Sequence, residues 1–399
     1  MKKAVSLFLA LALMVASLAG CGSDGNSGSG SNNQGGNEGS NAGKEENVFK
    51  IGGIGPVTGG ASIYGIAVRN GAQIAVDEIN AAGGINGVKI EFNFQDDEHD
   101  VEKAVNAYNN LKDWGMQVLM GAVTSKPCEA VADKTAADGM FQITPSGSSL
   151  DCIKNDNVFQ VCFTDPNQGL KSAQYVGEAG LAQKVAVIYD SSDSYSSGIA
   201  EAFAAESANQ PFEVVVSEAF TADTKTDFTV QLQKAKEAGA DMVFLPIYYQ
   251  EAALIIQQAD KMGYAPLFCG GDGLDGLLTV DNFDTSLAEG IILLTPFIAD
   301  SEDERTQKFV ATYKEKHGEI PNQFAADAYD AIYIIKEAIE EAGVTSDMSV
   351  SEIGKALKEA ITKISVTGLT GENMTWEAEG TVNKTPRAVK IVDGAYQSM

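Results

Sequence analysis

The chain has 399 residues, 44% of them hydrophobic, and a formal net charge of −27 at pH 7. Nucleic acids and anionic lipid surfaces are poor partners for so acidic a protein, because both carry dense negative charge. The hydrophobic fraction is sufficient for packed cores, and two histidines provide little for a zinc site.

The first 47 residues differ in composition from the rest. Two lysines precede an apolar run at 4–19 that is too short to span a bilayer comfortably, and small residues lead to Cys21. We predict an export signal over residues 1–20. The sequence Leu-Ala-Gly-Cys at 18–21 is similar to a bacterial lipobox, which would imply lipid attachment at Cys21. A plain secretory signal with an incidental Cys21 is the alternative.

Residues 21–47 are mostly Gly, Ser and Asn, with almost nothing apolar to bury. This composition is typical of a flexible linker. With a lipid on Cys21, the linker would tether a folded body to a membrane surface, and no other membrane contact is expected.

From residue 48 onward, strand and helix patterns alternate, which is typical of parallel βαβ units. Strands are predicted at 49–54, 88–95, 118–120, 141–143, 157–163, 185–189, 214–220, 242–246, 267–269 and 291–295. Helices are predicted at 61–82, 100–113, 127–138, 167–181, 196–209, 228–238, 251–262, 303–316, 324–342 and 351–364. The tail, at 375–376 and 387–392, resembles short antiparallel strands. So many strands indicate two sheets.

Hydroxyl side chains follow two neighbouring strands, at 118–120 and 141–143. Ser125, Ser146 and Ser148 would meet at the carboxyl edge of a parallel sheet, where open α/β sheets bind ligands. Hydroxyls beside a helix start suit a small anion such as a carboxylate. The alternative is that Ser125 only caps the helix and the second hydroxyl run forms an ordinary turn.

Cysteine chemistry is left open by the sequence. Cys152 and Cys162 flank a short loop, and an exported protein can oxidise such a pair to a disulfide. Two further cysteines in the folded region, Cys128 and Cys269, make other pairings or free thiols equally compatible with the sequence.

A resemblance to a known family rests on motifs in a fixed order. GIGPVTGG begins at residue 53, YG at 64, DEINAAGGING at 77 and DD at 96. Further matches lie at 144–145, 195, 248, 270–273 and 371–376. Together these resemble the branched-chain amino acid binding proteins of ABC importers, a type I periplasmic-binding-protein family, over nearly all of residues 48–399.

The resemblance implies an α/β fold of two doubly wound lobes, joined by a three-strand hinge, with the ligand cleft between them. Lobe 1 would comprise residues 48–164 plus 296–366, and lobe 2 residues 165–295 plus 367–399.

The function implied by the resemblance is that of an extracytoplasmic, monomeric binding protein. It would bind an amino acid, with branched-chain ligands favoured, and deliver it to the permease subunits of an ABC importer. The alternative is a tethered ligand-sensing receptor, or a binding protein for amides or other small solutes. We expect no enzyme activity, no cofactor and no metal, because the sequence contains no assembled nucleophile and base.

The resemblance also implies roles for individual residues. Ser125 and Ser148 match positions that hold the ligand α-carboxylate. Ser146 lies where a backbone carbonyl would accept from the α-ammonium group, and Asp272 where an acidic side chain would pair with it. The aromatic positions around the ligand match Tyr64, Tyr195, Tyr248 and Phe324.

The sequence departs from the family pattern at several of these positions. Lys126 and Pro127 replace further hydroxyl residues, Gly147 is smaller than usual, and Asp272 is one methylene shorter than the more familiar glutamate. The ligand side chain selected therefore stays open.

Overall fold

The structure is a computed structural model that describes residues 47–399. The predicted signal peptide, the linker up to residue 46 and the lipidation site Cys21 lie outside the described residues.

The strands largely follow the predicted ones. They are β1 (Val48–Gly55), β2 (Lys89–Asp96), β3 (Val118–Gly121), β4 (Phe141–Thr144), β5 (Val158–Gln160), β6 (Lys184–Asp190), β7 (Glu213–Phe220), β8 (Met242–Leu245), β9 (Leu267–Gly270), β10 (Ile292–Thr295), β11 (Arg387–Val392) and β12 (Ala395–Ser398).

The α-helices connect the strands. They are α1 (Ser62–Ala81), α2 (Val101–Trp114), α3 (Ser125–Asp138), α4 (Asp165–Glu178), α5 (Ser194–Ser207), α6 (Thr229–Glu237), α7 (Tyr249–Lys261), α8 (Glu304–His317), α9 (Gln323–Ala342) and α10 (Val350–Ile361).

Two separate sheets define two lobes. The sheet of lobe 1 has the order β2-β1-β3-β4-β5 with every pairing parallel. The sheet of lobe 2 has the order β12-β11-β10-β9-β8-β6-β7. Its strands from β6 to β10 pair in parallel, and β11 and β12 add an antiparallel edge. The predicted α/β architecture with two doubly wound sheets is confirmed.

Apolar side chains are buried on both faces of each sheet. In lobe 1, α1 and α9 cover one face, and α2 and α3 cover the other. Helices α1 and α9 approach closely at Gly71, where a Cβ would lie 2.0 Å from the Ala325 carbonyl oxygen. This close packing fixes the starts of both helices, which carry Tyr64 and Phe324.

The chain passes from lobe 1 to lobe 2 for the last time at a later residue than predicted. Residues 367–399 were assigned to lobe 2, but Met374 and Trp376 are buried in the core of lobe 1. The Trp376 indole also donates a hydrogen bond to the Gln160 carbonyl oxygen of β5, at 2.8 Å. Only from Arg387, where β11 begins, does the chain pair with the sheet of lobe 2. The boundary at residue 366 is therefore corrected toward β11.

Candidate functional site

A cavity lies between the two lobes. Its lining residues are Tyr64, Val123, Thr124, Ser125, Ser146, Tyr195, Tyr248, Asp272, Gly273 and Phe324. Of the eight ligand-contacting residues predicted from the sequence, all but Ser148 belong to this lining. Lobe 1 contributes the serines with Tyr64 and Phe324, and lobe 2 contributes the other two tyrosines with Asp272.

Ser125 is the first residue of α3, separated by three residues from the end of β3, and is not the helix cap. Its Oγ accepts hydrogen bonds from the backbone N–H groups of Ser148 and Ser149, each at 3.2 Å. Because these two donors occupy the oxygen lone pairs, the hydroxyl proton is available to an acceptor in the cavity. This geometry suits a carboxylate.

The other two predicted serines are placed differently. The Ser146 hydroxyl donates to the Val123 carbonyl oxygen at 2.6 Å, so it is engaged within lobe 1. The role predicted for the Ser146 backbone carbonyl, as an acceptor for the α-ammonium group, stays a prediction. Ser148 is fully buried behind the cavity wall, and its hydroxyl lies beside the carboxyl group of Asp165. Burial raises the pKa of Asp165 well above its ordinary value. A direct role for the Ser148 hydroxyl in holding a ligand stays a prediction.

Asp272 follows β9 at the start of a short 3-10 helix and is only 4% exposed. Its carboxylate accepts a hydrogen bond from the Tyr195 hydroxyl at 2.8 Å, and that hydroxyl accepts one from the Gly273 N–H at 2.9 Å. Burial raises the pKa of Asp272 to about 7, although the hydrogen bond from Tyr195 opposes the rise. Within residues 47–399, no lysine, arginine or histidine forms an ion pair with Asp272.

The remaining walls are aromatic. The Tyr195 and Tyr248 rings stack with centroids 4.9 Å apart, and the Tyr64 and Phe324 rings lie 4.3 Å apart. The Tyr64 hydroxyl donates to the Gly273 carbonyl oxygen at 2.6 Å, a contact that joins the two lobes. Burial raises the pKa values of the three tyrosines, so their hydroxyls are neutral donors.

Several residues around the cavity escaped the sequence analysis. Gln168 accepts from the Asp272 N–H at 3.2 Å, and Gln323 donates to the Asp272 carbonyl oxygen at 2.9 Å. Asp165 was overlooked because Thr164-Asp165-Pro reads as an ordinary helix start, which it also is. Nothing in the local sequence around either glutamine indicates proximity to Asp272.

The disulfide considered between Cys152 and Cys162 is not formed. Both are free thiols buried in the structure, together with the other two cysteines of residues 47–399. Cys152 lies instead beside Cys128, behind Ser125, whose carbonyl oxygen its thiol contacts at 3.5 Å. Their spacing of ten residues suggested that a disulfide could close the short loop between them. The chain between the two cysteines passes through β5, and no such bond is formed.

The arrangement can recognise a small zwitterion. It offers a buried acid for a cation, a serine hydroxyl for an anion, and aromatic surface for an apolar group. Within the described residues 47–399, no three His, Cys, Asp or Glu side chains are grouped as metal ligands would be. None of the helices in this range is both long and apolar enough to cross a bilayer.

Comparison with known proteins identifies the family of the chain. The family model described as periplasmic binding protein matches residues 48–395. A Leu/Ile/Val-binding protein homolog from Brucella melitensis is 33% identical over 310 residues, covering 77% of this chain and 82% of the relative. A Leu/Ile/Val-binding protein from Rhizobium johnstonii is 32% identical over 81% of this chain and 88% of its own length.

Solved structures give the same result. The branched-chain amino acid transporter substrate-binding protein LivJ of Streptococcus pneumoniae, in complex with isoleucine, has a TM-score of 0.80 and 30% identity, covering 88% of this chain and 98% of its own. These relatives are binding proteins, in agreement with the expectation that the chain is not an enzyme, and the family implies an extracytoplasmic location. The chain therefore belongs to the periplasmic binding protein family.

Proposed function

We propose that this protein binds a branched-chain amino acid in the interlobe cavity and delivers it to the permease of an ABC importer. The observation that carries the proposal is the pairing, in one cavity, of a buried acid with a serine whose hydroxyl proton is available. Asp272 would receive the α-ammonium group, and Ser125 would donate to the α-carboxylate. The aromatic walls would contact the aliphatic side chain.

The energetics are sufficient for this role. Charge-assisted hydrogen bonds contribute about 1.5 to 3 kcal/mol each, and a micromolar complex requires about 8 kcal/mol. Contacts from Asp272 and Ser125, together with aromatic burial, reach that range. An uncharged ligand would leave the Asp272 carboxylate buried without a cation, which is costly.

Closure of the lobes would complete the site. Ser125 belongs to lobe 1 and Asp272 to lobe 2, so a ligand that contacts both stabilises the closed arrangement over an open one. The named ligands of the relatives, leucine, isoleucine and valine, support the branched-chain class.

A thermal-shift screen tests the ligand. The protein is first unfolded and refolded to remove amino acids carried through purification, then screened against the common amino acids, a set of amides and simple carboxylic acids. A ligand at 100 times its Kd adds about 2.7 kcal/mol of stability, so hits are easily recognised. We expect leucine, isoleucine and valine to raise the Tm. Stabilisation by amides or carboxylic acids alone would contradict the amino acid assignment.

We also infer that Cys21 carries the lipid anchor of the protein. Support comes from the Leu-Ala-Gly-Cys sequence and the Gly/Ser/Asn-rich linker that follows it. The test is labelling of cells with a radioactive fatty acid. Cys21→Ala should abolish label incorporation and release the protein from the membrane fraction, whereas unchanged membrane association would contradict the anchor.

A further inference from the structure

A second set of contacts joins the lobes outside the cavity, at the start of α5. Asp193 caps this helix, because its Oδ1 accepts from the Tyr195 N–H at 2.9 Å. The other carboxylate oxygen, Oδ2, lies 3.6 Å from Nε2 of His99 in lobe 1. One aspartate therefore holds the helix start in lobe 2 and reaches across to lobe 1.

His99 is fixed by its own lobe. Its Nδ1 lies 2.9 Å from the hydroxyl of Thr124, which lines the cavity next to Ser125. Its backbone N–H donates to the Asp97 carboxylate at 2.9 Å, and its φ of 60° lies in the left-handed region. The ring also packs edge-on against Tyr248 of lobe 2, with centroids 5.5 Å apart, which is a further contact between the lobes. The imidazole is thus positioned before it meets Asp193.

The neighbouring residue makes a second contact between the lobes. Ser194 is the first residue of α5, and its hydroxyl donates to a carboxylate oxygen of Glu129, in α3 of lobe 1, at 2.6 Å. Since α3 begins with Ser125, both contacts lie next to the proposed carboxylate-binding wall. The start of α5 is therefore attached to lobe 1 at two points.

We propose that His99, Glu129, Asp193 and Ser194 form an interlobe clasp that prolongs the closed state. None of the four lines the cavity, so they are positioning residues. They act on the ligand through closure and through the lining residues that they contact, which are Thr124, Tyr195 and Tyr248. The test that measures isoleucine dissociation rests on the proposed function. The test that measures contact between the lobes rests only on the two-lobe architecture.

The expected size of the effect follows from exposure. The side chain of His99 is 27% exposed and that of Asp193 is 9% exposed, so the contact is partly screened by solvent. Such pairs change equilibria by about two- to fivefold. Because the clasp forms only when the lobes meet, after ligand encounter, its loss should raise the dissociation rate and leave the association rate nearly unchanged.

The variants are chosen to preserve the folded lobes. Asp193→Ser keeps a good helix cap but removes the carboxylate that reaches His99. His99→Asn tolerates the left-handed backbone and removes the imidazole. Ser194→Ala removes only the contact with Glu129.

Matched controls exist within lobe 1. Asp303 caps α8 by accepting from the Thr306 N–H at 2.9 Å, so Asp303→Ser makes the same change at a cap away from the cleft. His317→Asn is the control for His99→Asn, because it makes the same substitution at the end of α8. Both controls should leave the dissociation rate unchanged.

Stopped-flow kinetics with isoleucine give the first readout. We expect Asp193→Ser and His99→Asn each to raise the dissociation rate about two- to fivefold, and the double variant to be no worse than the more affected single one. Ser194→Ala should have a smaller effect in the same direction. Additive effects in the double variant, or loss of association rate alone, would overturn the clasp.

A ligand-independent readout separates this proposal from the proposed function. A Cβ on Gly60 would lie 3.3 Å from the side-chain oxygen of Gln250 in the opposite lobe. Because this oxygen is at the far end of the glutamine side chain, Gly60→Cys with Gln250→Cys is joined by a short bifunctional thiol reagent, and the rate of this trapping reports lobe contact. Breaking the clasp should slow trapping about two- to fivefold. If the unmodified protein does not bind isoleucine, the amino acid assignment fails and the trapping rate alone decides on the clasp. An unchanged trapping rate would then overturn it.

Discussion

Two buried carboxylates, Asp327 and Asp272, differ in the origin of their cation. Asp327 is 2% exposed and receives the Lys384 ammonium at 2.8 Å, so its partner belongs to the chain. Asp272 is 4% exposed and receives only neutral donors from the described residues, chiefly the Tyr195 hydroxyl. The comparison indicates that one acid maintains the fold, whereas the other is kept for a cation that comes from outside.

The pKa values of Asp327 and Asp272 reflect the same difference in their partners. Burial raises the pKa of both carboxyls. At Asp327 the Lys384 charge opposes this rise, whereas at Asp272 the main opposing influence is the Tyr195 hydrogen bond, and the pKa reaches about 7. Removing the cation of Asp327 and removing Asp272 itself should therefore affect different properties.

The largest effect is expected for Lys384→Ala. This change leaves Asp327 buried without its cation, so we expect the free energy of unfolding to fall by about 3 to 5 kcal/mol. Urea denaturation measures it. The control is Lys336→Ala, which removes a partly exposed ion pair with Glu340 and should cost less than about 1 kcal/mol. Equal losses in the two variants would mean that Lys384 is not a structural partner.

Asp272→Ala should reverse the pattern. We expect affinity for isoleucine to fall by about 2 to 5 kcal/mol, because the ligand ammonium loses its buried partner. The free energy of unfolding should be unchanged or higher, since a buried carboxyl without a cation is itself unfavourable. Calorimetric titration and urea denaturation of the same variant measure both. Retained affinity would move the ammonium site elsewhere.

Ligand affinity should also depend on pH through Asp272. The ligand ammonium favours the ionised carboxylate, so the complex holds fewer protons than the free closed site, whose Asp272 pKa is about 7. Affinity therefore rises with pH and levels off above 7. We expect it to be lower at pH 6 than at pH 8, by at most about tenfold, because opening of the lobes exposes Asp272 and lowers its pKa in the free protein.

Titrations with isoleucine across this pH range measure the effect. Asp272→Asn is the control and should remove the dependence. A flat profile in the unmodified protein would show that Asp272 does not change protonation on binding.

Much of the fold was predictable because its signals are local. Alternating strand and helix patterns, with glycine stops such as Gly115 and Gly343 in the left-handed region, specify each element independently of the others. The serines of the cavity lining were predictable because strand-ending residues such as Ser125 meet at one sheet edge, whereas the aromatic residues and Asp272 were implied by the family resemblance.

What escaped prediction depends on contacts between distant segments. Trp376 belongs to lobe 1 because its indole reaches β5, more than 200 residues earlier in the chain. The meeting of His99 with Asp193 depends on how two lobes close, and the proximity of Cys152 to Cys128 depends on the path of the chain behind α3. None of these has a periodic or motif signature.

The smallest loss of affinity is expected for Ser125→Ala, at the carboxylate end of the ligand. In Ser125→Ala the hydroxyl donor is lost, but the N–H groups of Ser148 and Ser149 lose their acceptor at the same time and become free to donate to the ligand carboxylate. This compensation should limit the loss of isoleucine affinity to about 0.5 to 1.5 kcal/mol. Ser149→Ala, a serine outside the cavity lining whose hydroxyl accepts from the Asp151 N–H, is the matched control and should not weaken binding. A loss at Ser125 as large as that at Asp272 would mean that the hydroxyl, and not the backbone, carries the carboxylate.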